Sequence, residues 1–384
     1  MPAAKACSGL EPGAPATSWS RTRAAMMLAE TDPPIRTAPQ AAPGVVYVTP
    51  DEPGIVRLRA GRGFAYRGPD QARIDDREVI GRIRSLAVPP AWRDVWICPR
   101  PNGHIQAIGY DSNGRRQYRY HPRFREVREG AKYEHMLAFA EALPALRERI
   151  ASDMRKRGLG RDKVLATVVH LLEATMIRVG NQAYARENKS YGLTTLRDRH
   201  VEVEGGELRF HFKGKSGKVW RLGLHDRRVA NVIRSCQELP GQHLFQYLDD
   251  EGEPQAVTSA DINAYLREAA GGEITAKDFR TWAGTVLAAE ALARSDPPGS
   301  AAEAKRRLNA VIKEVAVRLG NTPAICRKCY VHPRIAEAWL NDGLRLDLPD
   351  PKEAGSNGTQ TGSRPEEAAV LDFLRSGARR RSGG

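Results

Sequence analysis

The segment Val317–Pro333, VRLGNTPAICRKCYVHP, places Tyr330 among basic residues at the end of a helical pattern, with Arg327 and Lys328 just before it. A tyrosine oxygen is a weak nucleophile at neutral pH because its pKa lies near about 10. Cationic neighbours favour the phenolate and can also hold a phosphate group, so one cluster can activate the nucleophile and position its target. The segment alone favours a half-buried core tyrosine beside solvated charges, and the rest of the chain reverses that preference.

Length and composition indicate two globular domains with tails. The chain has 384 residues, of which 41% are hydrophobic and 28% are charged, and this length exceeds what one hydrophobic core usually serves. The net charge of +14 favours a polyanionic partner, with nucleic acid ahead of an acidic membrane surface. A generally basic surface without a specific ligand would carry the same charge. No apolar run approaches the length of a membrane span, so we expect no insertion into a membrane.

The cysteines do not form an obvious disulfide framework or metal site. They are odd in number and scattered, which suits a reducing compartment: Cys7, Cys98, Cys236, Cys326 and Cys329. The last two form a C-x-x-C with His332 close behind, but no fourth ligand follows at the spacing of a zinc site, and the strand that precedes a redox C-x-x-C is missing. We therefore predict no metal and interpret both cysteines as small packing residues.

Both ends of the chain lack the periodicity of packed helices or strands. Residues 1–43 are rich in Ala, Pro, Ser and Thr, whereas residues 345–384 are rich in Gly, Ser and Pro and finish in three arginines at 379–381. Such compositions bury too little apolar surface to fold. We predict two disordered tails, the second of which is basic and able to add non-specific affinity for DNA.

Between the tails the sequence pattern changes once. Residues 44–128 consist of short, often alternating segments between turn signals, with one predicted helix at Asp76–Ser85. Residues 129–344 follow a helical period that one β-hairpin interrupts, at Glu207–Phe212 and Lys218–Leu222. The predicted fold is therefore α+β, with a small β-rich N-terminal domain and a larger, mainly helical domain. Further helices are predicted at Asp226–Glu238, Ser259–Ala269, Ala276–Ala293, Ala302–Arg318 and Arg334–Asn341.

Four side chains with useful chemistry lie at breaks in this pattern. Arg178 follows an apolar helix, Lys215 lies at the tip of the hairpin, Arg280 lies early in its helix, and Tyr330 closes the set. Helix ends and a hairpin tip can converge on one cleft, where two guanidinium groups could clamp a phosphate and a lysine could protonate a leaving alkoxide. Each residue taken alone is more often a surface charge. The GKS at 214–216 is not a phosphate-binding loop, because the glycine required five residues upstream is Arg209.

Five motifs occur in a fixed order along residues 45–343: RVGN (178–181), NKSYGLTTLRDRHV (188–201), FHFKGKSGK (210–218), KDFRTW (277–282) and RLGNTPAICRKCYVHP (318–333). Their combination resembles the type IB DNA topoisomerases, above all the small bacterial and poxvirus-like enzymes. The resemblance implies a β-rich domain and a helical catalytic domain that close as a clamp around double-stranded DNA. It also implies relaxation of positive and negative supercoils through a 3′-phosphotyrosyl intermediate, without ATP, an obligatory metal or another cofactor. A monomer in the bacterial cytoplasm, at the nucleoid, is expected.

The resemblance also implies a role for each site residue. Tyr330 resembles the nucleophile, Arg178 and Arg280 resemble the two arginines that bind the phosphate, and Lys215 resembles the general acid that protonates the 5′ oxygen. The family's histidine nine residues before the tyrosine is replaced here by Asn321. An asparagine amide can still donate a hydrogen bond to a phosphate oxygen, but it carries no charge and does not titrate.

The stretch RRQYRYHP resembles the DNA-contacting strand of the family. Within it, Gln117 could read a base edge in the major groove, while Tyr118 and Tyr120 could contact phosphates. An amphipathic strand with inward tyrosines would show the same pattern. Nearby basic residues complete the predicted DNA-binding set: Arg116, Lys213, Lys218, Arg327 and Lys328.

Two alternatives remain open from the sequence. A tyrosine recombinase uses nearly the same constellation, but its second arginine usually follows a histidine by three residues. The corresponding residue before Arg280 is Lys277, and a β-rich N-terminal domain is also unlike a recombinase. The other alternative is a basic DNA-binding module without activity, against which the joint presence of the four site residues argues.

Overall fold

The computed structural model describes residues 42–349 and 362–381 and divides at Phe124 and Arg125 into two compact units. The predicted N-terminal tail, residues 1–43, lies almost entirely outside the described residues. In the described ranges, no helix combines the length and the apolar composition required to cross a membrane.

The first unit is built on one antiparallel sheet of five strands in the order β2-β1-β3-β4-β5. Its elements are β1 (Ile55–Ala60), β2 (Gly63–Arg67), α1 (Arg77–Ser85), β3 (Arg93–Ile97), β4 (Ile105–Tyr110) and β5 (Arg116–Tyr120). The α1 helix begins after Asp76, whose carboxylate accepts hydrogen bonds from the backbone N–H groups of Glu78 and Val79, as an N-cap residue does. Ile83 of this helix packs against Ile55, Val95, Ile97 and Ala107 of the sheet.

The second unit is mainly helical, and together the two units confirm the predicted α+β class. Its helices are α2 (Pro122–Asp153), α3 (Arg161–Thr175), α4 (Gln182–Asn188), α5 (Arg227–Gln237), α6 (Ser259–Ala270), α7 (Ala276–Ala293), α8 (Ala301–Arg318), α9 (Pro323–Cys329), α10 (Pro333–Asp342) and α11 (Pro365–Arg381). Its strands are β6 (Val201–Glu204), β7 (Glu207–Lys213), β8 (Val219–His225), β9 (Gln246–Leu248) and β10 (Pro254–Ala256).

The core of the second unit surrounds α3. This helix is apolar around most of its circumference, and the side chains of Val164, Leu165, Val168 and Leu171 are fully buried, which places it at the centre rather than at the surface. The helix ends at Met176, a residue in the left-handed conformation with φ of 56°. Because that conformation costs energy for a residue with a Cβ, surrounding contacts have to hold it.

The predicted hairpin is confirmed as β7 and β8, which pair in antiparallel register from Glu207↔His225 to Lys213↔Val219. Side chains alternate along β7, with Leu208, Phe210 and Phe212 buried on the core side. A third strand, β6, pairs with β7 and was not predicted from the sequence. The α2 helix also begins earlier than the apolar period starting near Tyr133 suggests, because its first turns are mostly charged and lack that period.

The prediction of a disordered C-terminal tail is wrong for residues 365–381, which form α11. Val370 and Leu374 of this helix are buried in the main core. Arg147 of α2 also donates hydrogen bonds to both Glu367 carboxylate oxygens, at 2.7 and 2.8 Å. The Gly, Ser and Pro residues around the helix hid its short apolar period, and the anchoring residue lies 220 positions away in sequence.

Candidate active site

Arg178 is held by its backbone in the turn that follows α3. Its carbonyl accepts a 2.9 Å hydrogen bond from the Leu193 backbone N–H. A Cβ added at Gly192 would lie 2.5 Å from the same carbonyl oxygen, so this close approach requires a glycine. The RVGN motif is thereby joined to the following motif of the sequence, and the half-buried Arg178 side chain projects from a fixed backbone.

Arg280 lies in the second turn of α7 and is only 4% exposed. Its guanidinium donates hydrogen bonds to the Met176 carbonyl and to the Leu319 carbonyl. It therefore ties the end of α3 to the end of α8 and helps to hold Met176 in its left-handed conformation. Burial and the nearby charge of Arg178 lower the pKa of Arg280 to about 10, so the group stays charged at neutral pH.

Tyr330 is the C-cap of the short helix α9, and its ring lies 5.3 Å from the Arg280 guanidinium carbon. Its carbonyl accepts a 3.1 Å hydrogen bond from the Thr285 hydroxyl, which in turn accepts one from the His332 N–H. Gly284 lets the chain come this close, since a Cβ there would lie 2.8 Å from the Tyr330 carbonyl oxygen. The nucleophile predicted from the sequence thus packs directly on the helix that carries Arg280.

The electrostatic surroundings favour the phenolate of Tyr330. Burial of the phenol raises its pKa, but the positive charges of Arg280 and Arg178 outweigh burial, and the pKa of Tyr330 is lowered from its ordinary value of 10.0. The Asn321 side chain adds to the same effect. These charges come from α7 and from the turn after α3, far from Tyr330 in sequence.

Asn321 links the arginines to the phenol. Its Oδ1 atom accepts a hydrogen bond from the Arg178 guanidinium. Its Nδ2 atom and the Arg280 Nε atom are buried and make no hydrogen bond of full geometry within the described part of the chain, although the Asn321 and Arg280 side chains both face the Tyr330 phenol and lower its pKa. A buried donor without a partner costs about 1–3 kcal/mol. Two such donors beside one phenol leave the site ready to receive anionic oxygen atoms.

Lys215 is not brought into this cluster. It lies at the tip between β7 and β8, where its side chain is exposed, next to Ser216 with φ of 61°. No hydrogen bond or ion pair joins Lys215 to the other site residues that the structure describes. The structure therefore groups Tyr330, Arg178, Arg280 and Asn321 and leaves the fifth predicted residue on a nearby element.

The tip end of the hairpin is nevertheless tied to the site through its strand residues. Trp220 of β8 packs against Gly320, where an added Cβ would lie 2.6 Å from the indole ring. Gly320 immediately precedes Asn321 and has φ of 62°, so a larger residue is disfavoured on two grounds. On the other strand, the Lys213 carbonyl accepts a 2.8 Å hydrogen bond from the Tyr191 N–H. The hairpin thus leaves the core at a defined place beside the Asn321 loop.

The basic residues next to Tyr330 in sequence, which were expected to favour its phenolate, are not the main source of positive charge around it. Arg327 and Lys328 are exposed on α9, and the charges that lower the Tyr330 pKa most are those of Arg280 and Arg178. Cys326 is fully buried, and burial raises the pKa of its thiol to about 11. No group of three or more His, Cys, Asp or Glu side chains suited to a metal ion occurs in residues 42–349 and 362–381.

The predicted DNA-contacting residues of the first unit lie on β5, an edge strand. Because side chains alternate between the faces of a strand, Arg116, Tyr118 and Tyr120 share one face. The two tyrosine rings stack with centroids 5.7 Å apart, and Arg116 lies 5.4 Å from the centroid of the Tyr118 ring. Gln117 faces the other way and donates a 3.0 Å hydrogen bond to Asp111. Lys213 and Lys218 are exposed near the hairpin tip of the second unit.

Two family matches cover both units. The catalytic core of eukaryotic DNA topoisomerase I matches residues 121–340, and the N-terminal domain of bacterial DNA topoisomerase IB matches residues 63–111. The first match spans more than half of the chain. The chain belongs to the type IB DNA topoisomerase family. It is thus a type I DNA topoisomerase, an isomerase whose substrate is DNA, as the sequence motifs indicated.

Curated relatives agree with this assignment to the type IB topoisomerases. DNA topoisomerase 1B of Acanthamoeba polyphaga mimivirus is 33% identical over 75% of this chain and 88% of its own length. DNA topoisomerase 1B of vaccinia virus (strain Copenhagen) is 23% identical over 63% of this chain and 74% of its own length. A crystal structure of the XerH site-specific recombinase bound to difH aligns at 16% identity, over 52% of each chain, with a TM-score of 0.31. That value is too low to support an argument.

Three residues around Tyr330 were missed by sequence reasoning: Gly284, Thr285 and Lys132. Gly284 offered a signal, because a glycine inside an otherwise strong helical pattern costs about 1 kcal/mol relative to alanine and usually has a packing reason. Thr285 and Lys132 offered none, since a threonine and a lysine are ordinary residues in helices. Lys132 lies on α2, and its ammonium donates a 2.8 Å hydrogen bond to the Cys329 carbonyl.

Proposed function

We propose that this topoisomerase relaxes both positive and negative supercoils by cutting one strand through a transient 3′-phosphotyrosyl bond formed by Tyr330. The observation that carries the proposal is the convergence of Tyr330 and Asn321, from one segment, with Arg178 and Arg280 from two others. A cleft with one activated phenol, two guanidinium groups and an unpaired amide donor is suited to in-line attack on a phosphodiester.

Each step of the proposed reaction balances. The Tyr330 oxygen forms a bond to phosphorus while the bond from phosphorus to the 5′ oxygen breaks, and the phenolic proton passes to a water molecule before or during attack. Arg178 and Arg280 hold the non-bridging oxygens and stabilise the added charge of the transition state. Lys215, brought to the DNA by its hairpin, donates a proton to the departing 5′ oxygen. Reversal of the same steps reseals the strand after rotation.

The proposed reaction requires neither ATP nor a metal ion. The phosphotyrosyl bond retains the energy of the phosphodiester, so resealing needs no nucleotide. Charge stabilisation of the phosphate, which a metal ion supplies in other phosphoryl-transfer sites, is available from the two guanidinium groups. The metal-independent reaction is supported by the positive charges of Arg178 and Arg280, which lie close enough to the Tyr330 phenol to lower its pKa.

Double-stranded DNA is the proposed partner of both units, through the Arg116, Tyr118 and Tyr120 face and Gln117 of the first and through Lys213 and Lys218 of the second. The basic residues Arg327 and Lys328 would add phosphate contacts on α9. A monomer without an obligatory protein partner is proposed because one chain supplies the whole catalytic cluster. The match to a bacterial N-terminal domain supports a place in the bacterial cytoplasm, at the nucleoid.

The test uses supercoiled plasmids of each sign, incubated with the purified protein in EDTA without ATP. We expect complete relaxation, and denaturation during the reaction should trap protein covalently on DNA. Tyr330→Phe should abolish both results while DNA binding persists, because only the nucleophilic oxygen is lost. A requirement for Mg²⁺ or ATP, or a covalent complex formed by Tyr330→Phe, would overturn the proposal.

The role of Lys215 has its own test. Lys215→Ala should slow single-turnover cleavage by about 10²–10⁴-fold, the usual contribution of a positioned acid. Sulfur in place of the bridging 5′ oxygen is a better leaving atom that needs no proton, so it should restore cleavage by Lys215→Ala. The same substrate should leave Arg178→Ala slow. If the sulfur substrate does not help Lys215→Ala, the lysine is not the acid.

A further inference from the structure

Lys132 reaches the peptide bond that precedes the nucleophile. It lies on α2, its side chain is half-buried, and its Nζ atom lies 2.8 Å from the Cys329 carbonyl oxygen although the two residues are 197 positions apart. The Cys329 carbonyl and the Tyr330 N–H belong to one planar peptide group. The N–H end of that group donates a 2.9 Å hydrogen bond to the Cys326 carbonyl. The plane on the N-terminal side of Tyr330 is therefore held at both ends.

The plane on the C-terminal side of Tyr330 is held as well. The Tyr330 carbonyl accepts its hydrogen bond from the Thr285 hydroxyl. With both flanking peptide planes fixed, the φ and ψ angles of Tyr330 have little freedom, and the ring direction depends only on side-chain rotation. The Thr285 contact is neutral and comes from α7, next to Tyr330. The Lys132 contact carries a positive charge and comes from α2, outside the α7–α10 region that holds Tyr330.

The ammonium of Lys132 occupies an unusual place for a lysine. Its burial lowers the pKa of Lys132, and the groups that face it are Cys329, Lys277, Glu129 and Tyr330. It also lies 5.0 Å from the centroid of the Tyr133 ring. Lysine ammonium groups are usually left in water because burial of a charge costs free energy. The hydrogen bond from Lys132 to the Cys329 carbonyl offsets part of this cost. Because Cys329 is the last residue of α9, the ammonium there also complements the helix dipole.

We infer that Lys132 is a positioning residue for the cleavage reaction, acting through the Cys329 carbonyl to fix Tyr330 and adding a positive charge that favours its phenolate. The inference rests on the proposed role of Tyr330 as nucleophile. Lys132 differs from Arg178 and Arg280 because its contact is to the backbone that carries the nucleophile. Its effect therefore falls on the cleavage rate of bound DNA.

The first experiment measures single-turnover cleavage at saturating enzyme for the full chain and three variants. Lys132→Met keeps most of the stem but removes the donor and the charge, Lys132→Gln keeps a neutral donor, and Lys132→Arg keeps both. A misplaced nucleophile costs about 10²-fold per ångström, so we expect Lys132→Met to cleave about 10- to 100-fold more slowly. Lys132→Gln should be intermediate, and Lys132→Arg should recover most of the rate.

Two controls separate this effect from general loss of charge or fold. Lys156→Met removes one positive charge beyond the far end of α2, roughly 30 Å away by the rise of the helix, and should cleave as the unmodified chain does. Affinity for uncleaved DNA and its salt dependence should be unchanged in Lys132→Met. Lys132→Gln provides the same comparison if Lys132→Met does not fold.

A pH profile of the cleavage rate tests the charge. The charged and polar groups around Tyr330 that remain in every variant are Arg280 of α7, Arg178 after α3, and Asn321. Without the Lys132 ammonium the phenol should need higher pH to ionise, so the profile of Lys132→Met and of Lys132→Gln should move to higher pH. The profile of Lys132→Arg should not move.

The outcomes are distinct. A weaker affinity with a smaller salt slope in Lys132→Met would make Lys132 a phosphate contact and overturn the inference, as would a cleavage rate equal to that of the unmodified chain. If Lys132→Met lowers the cleavage rate by the same factor at every pH, and Lys132→Arg does not restore the rate, Lys132 has only a packing role. That result would also overturn the inference. Absence of a covalent complex in the unmodified chain would instead contradict the proposed function.

Discussion

A single methyl group placed on α7 should displace the nucleophile. Gly284 lies one turn after Arg280, and a Cβ at that position would lie 2.8 Å from the Tyr330 carbonyl oxygen and 3.0 Å from the Tyr330 Cβ. Ordinary contacts of this kind begin at 3.4 Å, so Gly284→Ala requires the Tyr330 backbone to retreat by about 0.6 Å. At about 10² in rate per ångström of misplacement, the expected loss in single-turnover cleavage is about 10- to 20-fold.

The stability of the variant should change less than its activity. Alanine gains about 1 kcal/mol over glycine inside a helix, whereas overpacking of a core position costs about 1–3 kcal/mol. The net loss in the free energy of unfolding should therefore stay below about 2 kcal/mol. The assay compares cleavage rate at saturating enzyme with urea unfolding of the same preparation. Gly81→Ala is the matched control, because its Cβ on α1 would meet nothing within 4 Å.

The result that would refute this reasoning is a folded Gly284→Ala protein that cleaves at the unmodified rate. It would mean that the Tyr330 backbone can shift by half an ångström without consequence. A loss confined to DNA affinity would refute it equally, since Gly284 is buried beneath the nucleophile. Gly81→Ala should cleave normally and gain up to about 1 kcal/mol in stability.

Two further predictions concern side chains with more than one contact. Asn321→Ala should slow cleavage by about 10- to 100-fold, the cost of one hydrogen bond to a charged group. Asn321→Asp keeps an oxygen for Arg178 but loses the amide donor and adds a negative charge, so it should cleave more slowly than Asn321→Ala. Cleavage by Asn321→Asp at the rate of the unmodified chain would restrict Asn321 to holding Arg178. Arg147→Met should lower the free energy of unfolding by about 3 kcal/mol, because it removes the buried partner of the Glu173 and Glu367 carboxylates. The half-exposed Arg364 remains beside both carboxylates and keeps the loss at the lower end of the range for a broken buried pair. Arg375→Met, at an exposed pair with Glu141, should cost less than about 1 kcal/mol in the same urea titration, and a similar loss in both variants would mean that α11 is not anchored through Arg147.

The sequence was sufficient for most of the helices and for the β7–β8 hairpin, and it supplied the residues whose catalytic roles are proposed here. Amphipathic periods predicted α7 with the same bounds as the structure, Ala276–Ala293, and turn signals predicted the hairpin. The site residues came from five spaced motifs, because a recurring chemical task constrains residue type and order together. Helical periods and turn signals are local properties of the sequence, and the motifs are shared across a family. Both can therefore be recognised in a single chain.

The remaining features depend on contacts between distant segments. Arg327 and Lys328 are next to Tyr330 in sequence, yet the short helix α9 leaves them exposed, and the activating charges come from Arg280 and Arg178. Lys132 contacts Cys329, the residue before Tyr330, across 197 positions, and no local pattern distinguishes it from a surface lysine. The α11 helix was missed for the same reason, since its anchor is a long-range ion pair rather than a strong apolar period of its own.

The cluster around Tyr330 combines a rigid backbone with unsatisfied donors. Glycine at 284, the Thr285 hydroxyl and the Lys132 ammonium all contact the main chain at or next to Tyr330, the proposed nucleophile, and so restrict its backbone. Arg280 Nε and Asn321 Nδ2 are buried without a formed hydrogen bond among the residues described, at a cost of about 1–3 kcal/mol each. A phosphate oxygen that accepts from them removes that cost on binding. In the proposed reaction, the free energy withheld from folding would then help to hold the scissile phosphate against the phenol, where the charge of the transition state would strengthen the same contacts.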